Sequence, residues 1–320
     1  MFVYPLGLAL GAVPVTVADL AERHGPVREG LLDRTGFRTV YTTPDDVDSL
    51  TLSLEAARAH GVDWVQQVDG VVSVGSTPRL SAPGNAHLIA QELEVRADSL
   101  LLDINDACTG FVRSLVVVDS LLKTGAASAV LLVLADTYTK LYAESDLKLS
   151  PLFSDGASAL LITAAALDAA PAGYEGRQWE IASTAFISDG SGSPELCITP
   201  RTDDSHGALT MNGSAVLNFV LRHVRGVTGS LAEESRIPVA EVDDWYVHQG
   251  SRMVVDAVAK AVGRSGDELF RAADYGNIVG SSLPAQFFDA PAAERSIGLL
   301  GFGVGLTMGG VFVRESPIRG

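Results

Sequence analysis

The chain has 320 residues, with 39 acidic against 23 basic side chains and a formal net charge of −16. A hydrophobic share of 47% and a mean hydropathy of +0.24 exclude disorder and predict an α/β globule, either one large domain or two packed halves. The charge argues against nucleic acid, which demands a basic footprint, and against anionic lipid surfaces.

Two cysteines, Cys108 and Cys197, cannot build a disulfide framework, so a reducing, cytoplasmic setting is expected. The apolar N-terminus lacks a basic segment and is cut by Pro5 and Pro14. It reads neither as a secretory leader nor as a membrane span.

In chain order, "TTPDDVDSLTLSLEAARAHG" predicts a helix with Thr43 as N-cap, Pro44 at its first position and Gly61 at its stop. "VDGVVSVGST" predicts a buried strand, "APGNAHLIAQEL" a helix, and "SLLLDIND" another strand. "GFVRSLVVVDSLLKTG" is a helix closed by Gly125, and "AVLLVLADT" and "LFSDGASALLIT" are strands. This alternation predicts crossover units and a largely parallel sheet. "AAALDAAPAGYEG" is a connector between two similar halves, taken as 1–168 and 177–320. Beyond it follow a helix in "MNGSAVLNFVLRHVRG", a strand in "VDDWYVHQG", and a helix in "SRMVVDAVAKAVG". "YGNIVGSSLPAQFFDA" reads as a turn with a helix, and "GLLGFGVGLTMGGVFVR" as Gly-rich strands.

Chemistry gathers at three joints. Cys108 follows a strand and opens a helix, where unpaired N–H groups and the helix dipole favour a thiolate. Free cysteines are also among the most buried residues, so the local pattern alone leaves its role open. His248 stands at the carboxyl end of a strand, where parallel sheets collect ligands. Asn277 sits among small residues; alone it is a turn former, and in company an amide donor. "GFGVGLTMGG" lacks the Lys–Ser/Thr ending of a phosphate loop. Its backbone is better suited to approach a reacting atom and form an oxyanion hole. His24, His60, His87, His206 and His223 are scattered without ligand spacing, so no metal is expected. Cys197 has no helix N-terminus behind it and reads as structural.

Taken in order, "DINDACTGF", "LFSDGASA", "MNGSAV", "WYVHQGS", "YGNIVGSS" and "GFGVGLTMGG", with "RTGFR" (Arg34 to Arg38) near the start, resemble the β-ketoacyl-acyl-carrier-protein synthase III family of the thiolase superfamily. The resemblance spans nearly the whole chain. It implies two pseudo-symmetric βαβαβ-type halves in a five-layered α-β-α-β-α arrangement, normally a homodimer. Cys108 is then the nucleophile, and His248 and Asn277 are its catalytic partners, in a half separate from that of the cysteine. The Cys108 amide and the Gly303-Val304-Gly305 turn hold the oxyanion. The implied reaction loads an acyl group on Cys108, then condenses it with a malonyl-type thioester after loss of carbon dioxide. Substrates are acyl thioesters of coenzyme A or acyl carrier protein, without a further cofactor.

Departures from the family pattern are equally specific. Gly30 stands where a Trp stacks the adenine of coenzyme A. Leu147 replaces the Arg that sandwiches the same ring, with Lys148 beside it. On the carrier-protein docking face, Asn218 and Met253 replace a Lys and an Arg, while Arg252 and Lys260 remain. Arg34 is a further substrate-side candidate. Ala82 falls where a bulky residue from the partner chain shapes the acyl pocket, which implies a roomier tunnel. These changes favour a carrier protein, or an unusual coenzyme A pose, and a paralogue for specialised metabolism. The competing expectation on the same fold is an acyltransferase passing the acyl group from Cys108 to an alcohol or amine. A non-catalytic subunit would have lost its cysteine, and a cysteine hydrolase fits the remaining motifs poorly.

Overall fold

The structure, a computed structural model, describes residues 1–25, 30–171, 173–199 and 209–318, without the side chains of residues 32 and 33. His206 lies outside the described residues. The first half runs β1 (Phe2–Leu10), β2 (Val13–Thr16), α1 (Val17–His24), α2 (Leu31–Thr35), β3 (Thr39–Thr42), α3 (Ser49–Arg58), β4 (Gly70–Val74) and α4 (Asn85–Glu92). It continues with β5 (Leu100–Ile104), α5 (Gly110–Thr124), β6 (Ala129–Asp136) and β7 (Gly156–Thr163). The second half runs β8 (Arg177–Ser188), β9 (Leu196–Ile198), β10 (Leu209–Met211), α6 (Gly213–Ser235), β11 (Asp244–Val247), α7 (Arg252–Val262), α8 (Gly266–Leu269), β12 (Arg295–Gly303) and β13 (Thr307–Pro317).

Among the described residues the main sheet has nine strands in the order β11-β12-β13-β8-β1-β7-β6-β4-β5. The order is nearly palindromic about the β8–β1 junction: β1, β7, β6 and β4 on one side answer to β8, β13, β12 and β11 on the other. That is the two-fold repeat of a thiolase-like fold. The sheet is mixed rather than largely parallel. Only β4–β5, β4–β6 and β11–β12 run parallel. β6 passes to β7, and β12 to β13, without a crossover helix, and such direct returns force antiparallel pairing.

Three apolar clusters define the layers. Leu52, Ala56 and Ile89 of α3 and α4 pack on the outer face of the first half-sheet. Phe111, Val112, Leu115 and Val118 of α5 meet Val72 and Leu132 on one side and Leu299 and Val311 on the other. Their helical spacing gives one stripe, and each fully buried side chain contributes about 1.5–3 kcal/mol. Val220, Val224, Val255 and Val258 of α6 and α7 cover the outer face of the second half-sheet. The result is helix, sheet, helix, sheet, helix, with α5 in the middle.

Two predicted elements change. α3 starts at Ser49, and Asp48 caps it by accepting from the Thr51 amide. Thr43 is unavailable as a cap because its N–H and hydroxyl both donate to buried Asp155 (2.9 and 2.7 Å). The segment after Asn277 forms two short 3-10 turns, Val279–Ser282 and Pro284–Gln286, rather than a helix. Val279 at φ +53 and Pro284 break the α-helical ladder there. No helix among the described residues is long and apolar enough to cross a membrane.

Candidate active site

The turn from β5 to α5 presents Cys108. Asp106 shapes it: its Oδ1 accepts from the Ala107 amide (3.0 Å) and the Thr109 hydroxyl (2.9 Å). Its other oxygen pairs with Arg113 at 3.1 Å. Gly110 lets the new helix press on β4, since a Cβ there would stand 2.5 Å from Val74 Cγ1. Thr109 then meets Thr307 across the halves, with hydroxyl oxygens 3.0 Å apart. Thr307 donates to the Val304 carbonyl at 2.8 Å. The cysteine turn and the Gly303–Gly305 turn are thereby tied together.

His248 extends β11, its amide donating to Leu300 O on β12 at 2.8 Å. Its ring meets Phe302 edge-on at 5.2 Å. Asn277 is held by both its backbone and its side chain. Its N–H donates to Leu152 O (3.0 Å), and its carbonyl accepts from Ser154 N (2.9 Å). Its Oδ1 accepts from the Val279 amide (2.9 Å) and the Ser282 hydroxyl (3.2 Å). Two donors on Oδ1 fix which way the amide faces. Its Nδ2 forms no hydrogen bond among the described residues.

Cys108, His248, Asn277, Gly303 and Val304 line one cavity of about 320 Å³. A larger hollow of about 600 Å³, between the β2–β3 hairpin and residues 139–150, holds neither cysteine nor histidine. The electrostatics depart from the sequence-based expectation for Cys108. Burial, then the charges of Asp136 and Asp106, push its thiol up, against a single backbone hydrogen bond that favours the thiolate. Desolvation dominates because the sulfur is buried with two carboxylates nearby. Burial also lowers His248 to about 3, with only the Val279 backbone pulling the other way. Its Nδ1 is buried without a hydrogen-bond partner. Thiol and imidazole are therefore both neutral at ordinary pH.

The matching family models are 3-oxoacyl-[acyl-carrier-protein (ACP)] synthase III over residues 102–190 and its C-terminal model over 232–315, together just over half of the chain. The chain belongs to the 3-oxoacyl-[acyl-carrier-protein] synthase III family. Members are thiolase-fold condensing enzymes of the acyl-transferring class. The chain is 28% identical over 289 residues to a β-ketoacyl-[acyl-carrier-protein] synthase III from Erythrobacter litoralis, covering 88% of this chain and 87% of that one. The crystal structure of 3-oxoacyl-(acyl carrier protein) synthase III from Pseudomonas aeruginosa PAO1 superposes with a TM-score of 0.85 at 26% identity, covering 100% of both chains. The priming β-ketosynthase of the R1128 polyketide pathway, 22% identical, shares the fold with a TM-score of 0.81 over 99% of this chain and 96% of that one.

The substrate-side candidates separate. Arg34 and Lys148 line the same cavity as Cys108, and neither side chain is hydrogen-bonded or ion-paired among the described residues. Arg252 is engaged within the chain, by Asp256 (2.8 Å) and Asp267 (2.7 Å). Asn218 on α6 and Lys260 on α7 are exposed outside the cavity, and Ala82 is exposed on a loop. Gly305 lies in the turn at φ +136. Leu147 packs near Val15, Leu20 and Val40 instead of the cavity. Two features of the site were not singled out from the sequence. Tyr138 joins the cavity wall, and Ser282 holds Asn277. The signal for Ser282 was present in "GNIVGSS", five residues after the amide.

Proposed function

We propose that the chain catalyses decarboxylative Claisen condensation. The Cys108 sulfur attacks an acyl thioester, its proton leaves with the departing thiol, and the acyl group stays on sulfur. A malonyl-type thioester enters, and His248 and the Asn277 Nδ2 donate hydrogen bonds to its thioester carbonyl. Carbon dioxide departs, the electron pair becomes an enolate, and those donors stabilise its oxygen. The enolate carbon attacks the acyl–Cys108 carbonyl. The oxyanion rests on backbone amides of Cys108 and the Gly303–Gly305 turn, and collapse expels Cys108 as the β-ketoacyl product forms.

The observation that carries this proposal is Asn277. With Oδ1 already satisfied by Val279 and Ser282, the amide is committed to donating through Nδ2, which a decarboxylating pair requires. A neutral imidazole suits the same task, because a nearby cation is not needed to hold a carbonyl. Among the described residues, Arg34 and Lys148 are unpaired cations on the cavity, suited to the phosphate of a pantetheine arm in a chain that is otherwise acidic. The donor and extender arrive on coenzyme A or acyl carrier protein. We further take the working unit to be a homodimer, since β5 is a free sheet edge whose Leu100, Leu101, Leu102 and Ile104 are half-exposed.

Intact-mass measurement with acyl-CoA and acyl-carrier donors tests loading. An adduct lost in Cys108→Ala supports the mechanism, and its absence in the native enzyme overturns it. Malonyl thioester is then added. Carbon dioxide release with a β-ketoacyl product is the expected result. Transfer to an added alcohol or amine without carbon dioxide would mean plain acyl transfer instead.

A further inference from the structure

His248 and Asn277 reach the cavity from separate elements. His248 directly follows β11, a four-residue strand at the edge of the main sheet. Asn277 precedes the turn Val279–Ser282. Two donors that share one carbonyl oxygen must keep a fixed spacing and angle, since a misplacement of about 1 Å can cost roughly a hundredfold in rate. The sheet holds His248 from one side only, through its amide on Leu300 O. Backbone groups alternate along a strand, so the preceding carbonyl, Val247 O, faces the open side of β11.

Gln286 occupies that side. It ends the turn Pro284–Gln286 and is half-buried. Its Nε2 donates to Val247 O at 2.8 Å and to Ser282 O. The Ser282 hydroxyl in turn holds Asn277 Oδ1. Gln286 Oε1 accepts from Gln249 Nε2 at 3.2 Å, on the residue just after His248. Gln249 is wholly buried and anchored further out. Its Nε2 also donates to Val247 O and Leu269 O, both at 2.9 Å, and its Oε1 accepts from the Arg271 amide at 2.8 Å. Both amides are fixed in orientation, because each nitrogen faces acceptors and each oxygen faces an N–H. One side chain therefore links the residues on either side of His248 to the turn that holds Asn277. Gln286 itself stands outside the cavity lining.

Resting on the condensation mechanism above, we infer that Gln286 is a positioning residue for the decarboxylation step. It sets the spacing of His248 and Asn277 so that both donate to the malonyl thioester carbonyl as the enolate forms. Acyl loading on Cys108 uses neither donor pair nor link and is independent of it.

The test separates the two half-reactions in Gln286→Met, which keeps the length of the side chain and removes its hydrogen bonds. Pantetheine thioesters of acetate, butyrate and octanoate load Cys108, followed by intact mass. Malonyl pantetheine is then added to the loaded enzyme, and carbon dioxide is measured. The expected result is loading within about twofold of native, with kcat for carbon dioxide release down about tenfold or more and KM little changed. Native kcat in this variant overturns the assignment, and so does an effect on KM alone. Should Gln286→Met fail to load, Gln286→Glu is read in the same way, since it keeps the acceptor for Gln249 and turns an oxygen toward the two carbonyls. Loading lost in both variants would make Gln286 part of the scaffold and overturns the assignment as well. If the native protein gives no adduct, or loads and releases no carbon dioxide, the condensation mechanism itself falls.

Discussion

Gly303 lies so close to Cys108 that a Cβ at position 303 would stand 2.8 Å from Cys108 Cβ and 3.1 Å from its Sγ. Gly301 is equally confined: a Cβ there would stand 2.8 Å from the Cys108 carbonyl oxygen. The end of β12 is therefore pressed against Cys108, and glycine is what permits it. Gly303→Ala should slow acyl loading on Cys108 at least about tenfold, and overpacking should cost about 1–3 kcal/mol of stability. Intact-mass kinetics and urea denaturation give both readouts. Loading at the native rate would show that the backbone there can yield without consequence.

Asn277 and Ser282 offer a finer separation. Asn277→Ala is expected to keep the acyl adduct and lose carbon dioxide release by about a hundredfold or more, the scale for an oxyanion donor. Ser282 stands outside the cavity lining and bonds Asn277 Oδ1. Ser282→Ala should lower decarboxylation by a smaller factor, roughly three- to tenfold for one hydrogen bond, with the adduct rate retained. Unchanged decarboxylation in Asn277→Ala would remove that residue from its assigned role.

Two buried groups pull the pH dependence of stability in opposite directions. His248 is lowered to about 3, so its contribution is complete above its unfolded value near 6.5 and is lost as pH falls toward 3. Asp136 is raised by burial to about 7, so its contribution is complete below 3.8 and is lost as pH rises through 7. Asp136→Asn keeps an acceptor for Ser76 and Thr77 and removes only the second slope. Between about pH 5.5 and pH 8.5 the variant should gain about 2 kcal/mol relative to the native protein. Denaturant midpoints at the two pH values measure this, and a constant difference would mean that Asp136 ionises normally.

A buried ion pair joins β8 to β13 within the second half. Arg177 NH1 lies 3.2 Å from Glu315 Oε2, and both side chains are wholly buried. Trp179 donates to the same oxygen (2.8 Å), Arg295 to the other (2.9 Å), and Arg177 reaches the carbonyls of Phe287 and Ala290. Arg177→Met should cost about 3 kcal/mol, because it leaves a buried carboxylate with Arg295 as its one remaining cation among the described residues. The pair Arg177→Met/Glu315→Gln should recover part of that loss in thermal melts. A double variant no more stable than the single one would contradict a charge-based cost.

The elements that the sequence made legible are those with local punctuation. α5 runs from Gly110 to Gly125 because the close approach to β4 and the helix stop are both written as glycine. α7 carries its own N-cap, Ser251, and its own stop, Gly263. Cys108, His248 and Asn277 were visible because each stands at an element boundary that the chain spells out. The mixed sheet was not visible, since strand direction depends on which strands pair rather than on residue pattern. The N-cap of α3 was misplaced because Thr43 answers to Asp155, more than a hundred residues away. Tyr138 was missed for a similar reason: next to "VLAD" it reads as the end of a strand, and only folding sets it beside Cys108. The thiol's upward shift was equally hidden, because desolvation is a property of the packed cavity.

The cavity takes Cys108 and Tyr138 from one side of the β1–β8 junction and His248, Asn277 and Gly303 from the other. The described residues of the connector, 164–171 and 173–176, contribute nothing to its lining. A single backbone cut there should therefore be tolerated as long as α5 stays wedged between the two half-sheets. Two separately expressed fragments would be inert alone and regain condensation on mixing, making activity a direct reporter of how firmly the halves hold each other.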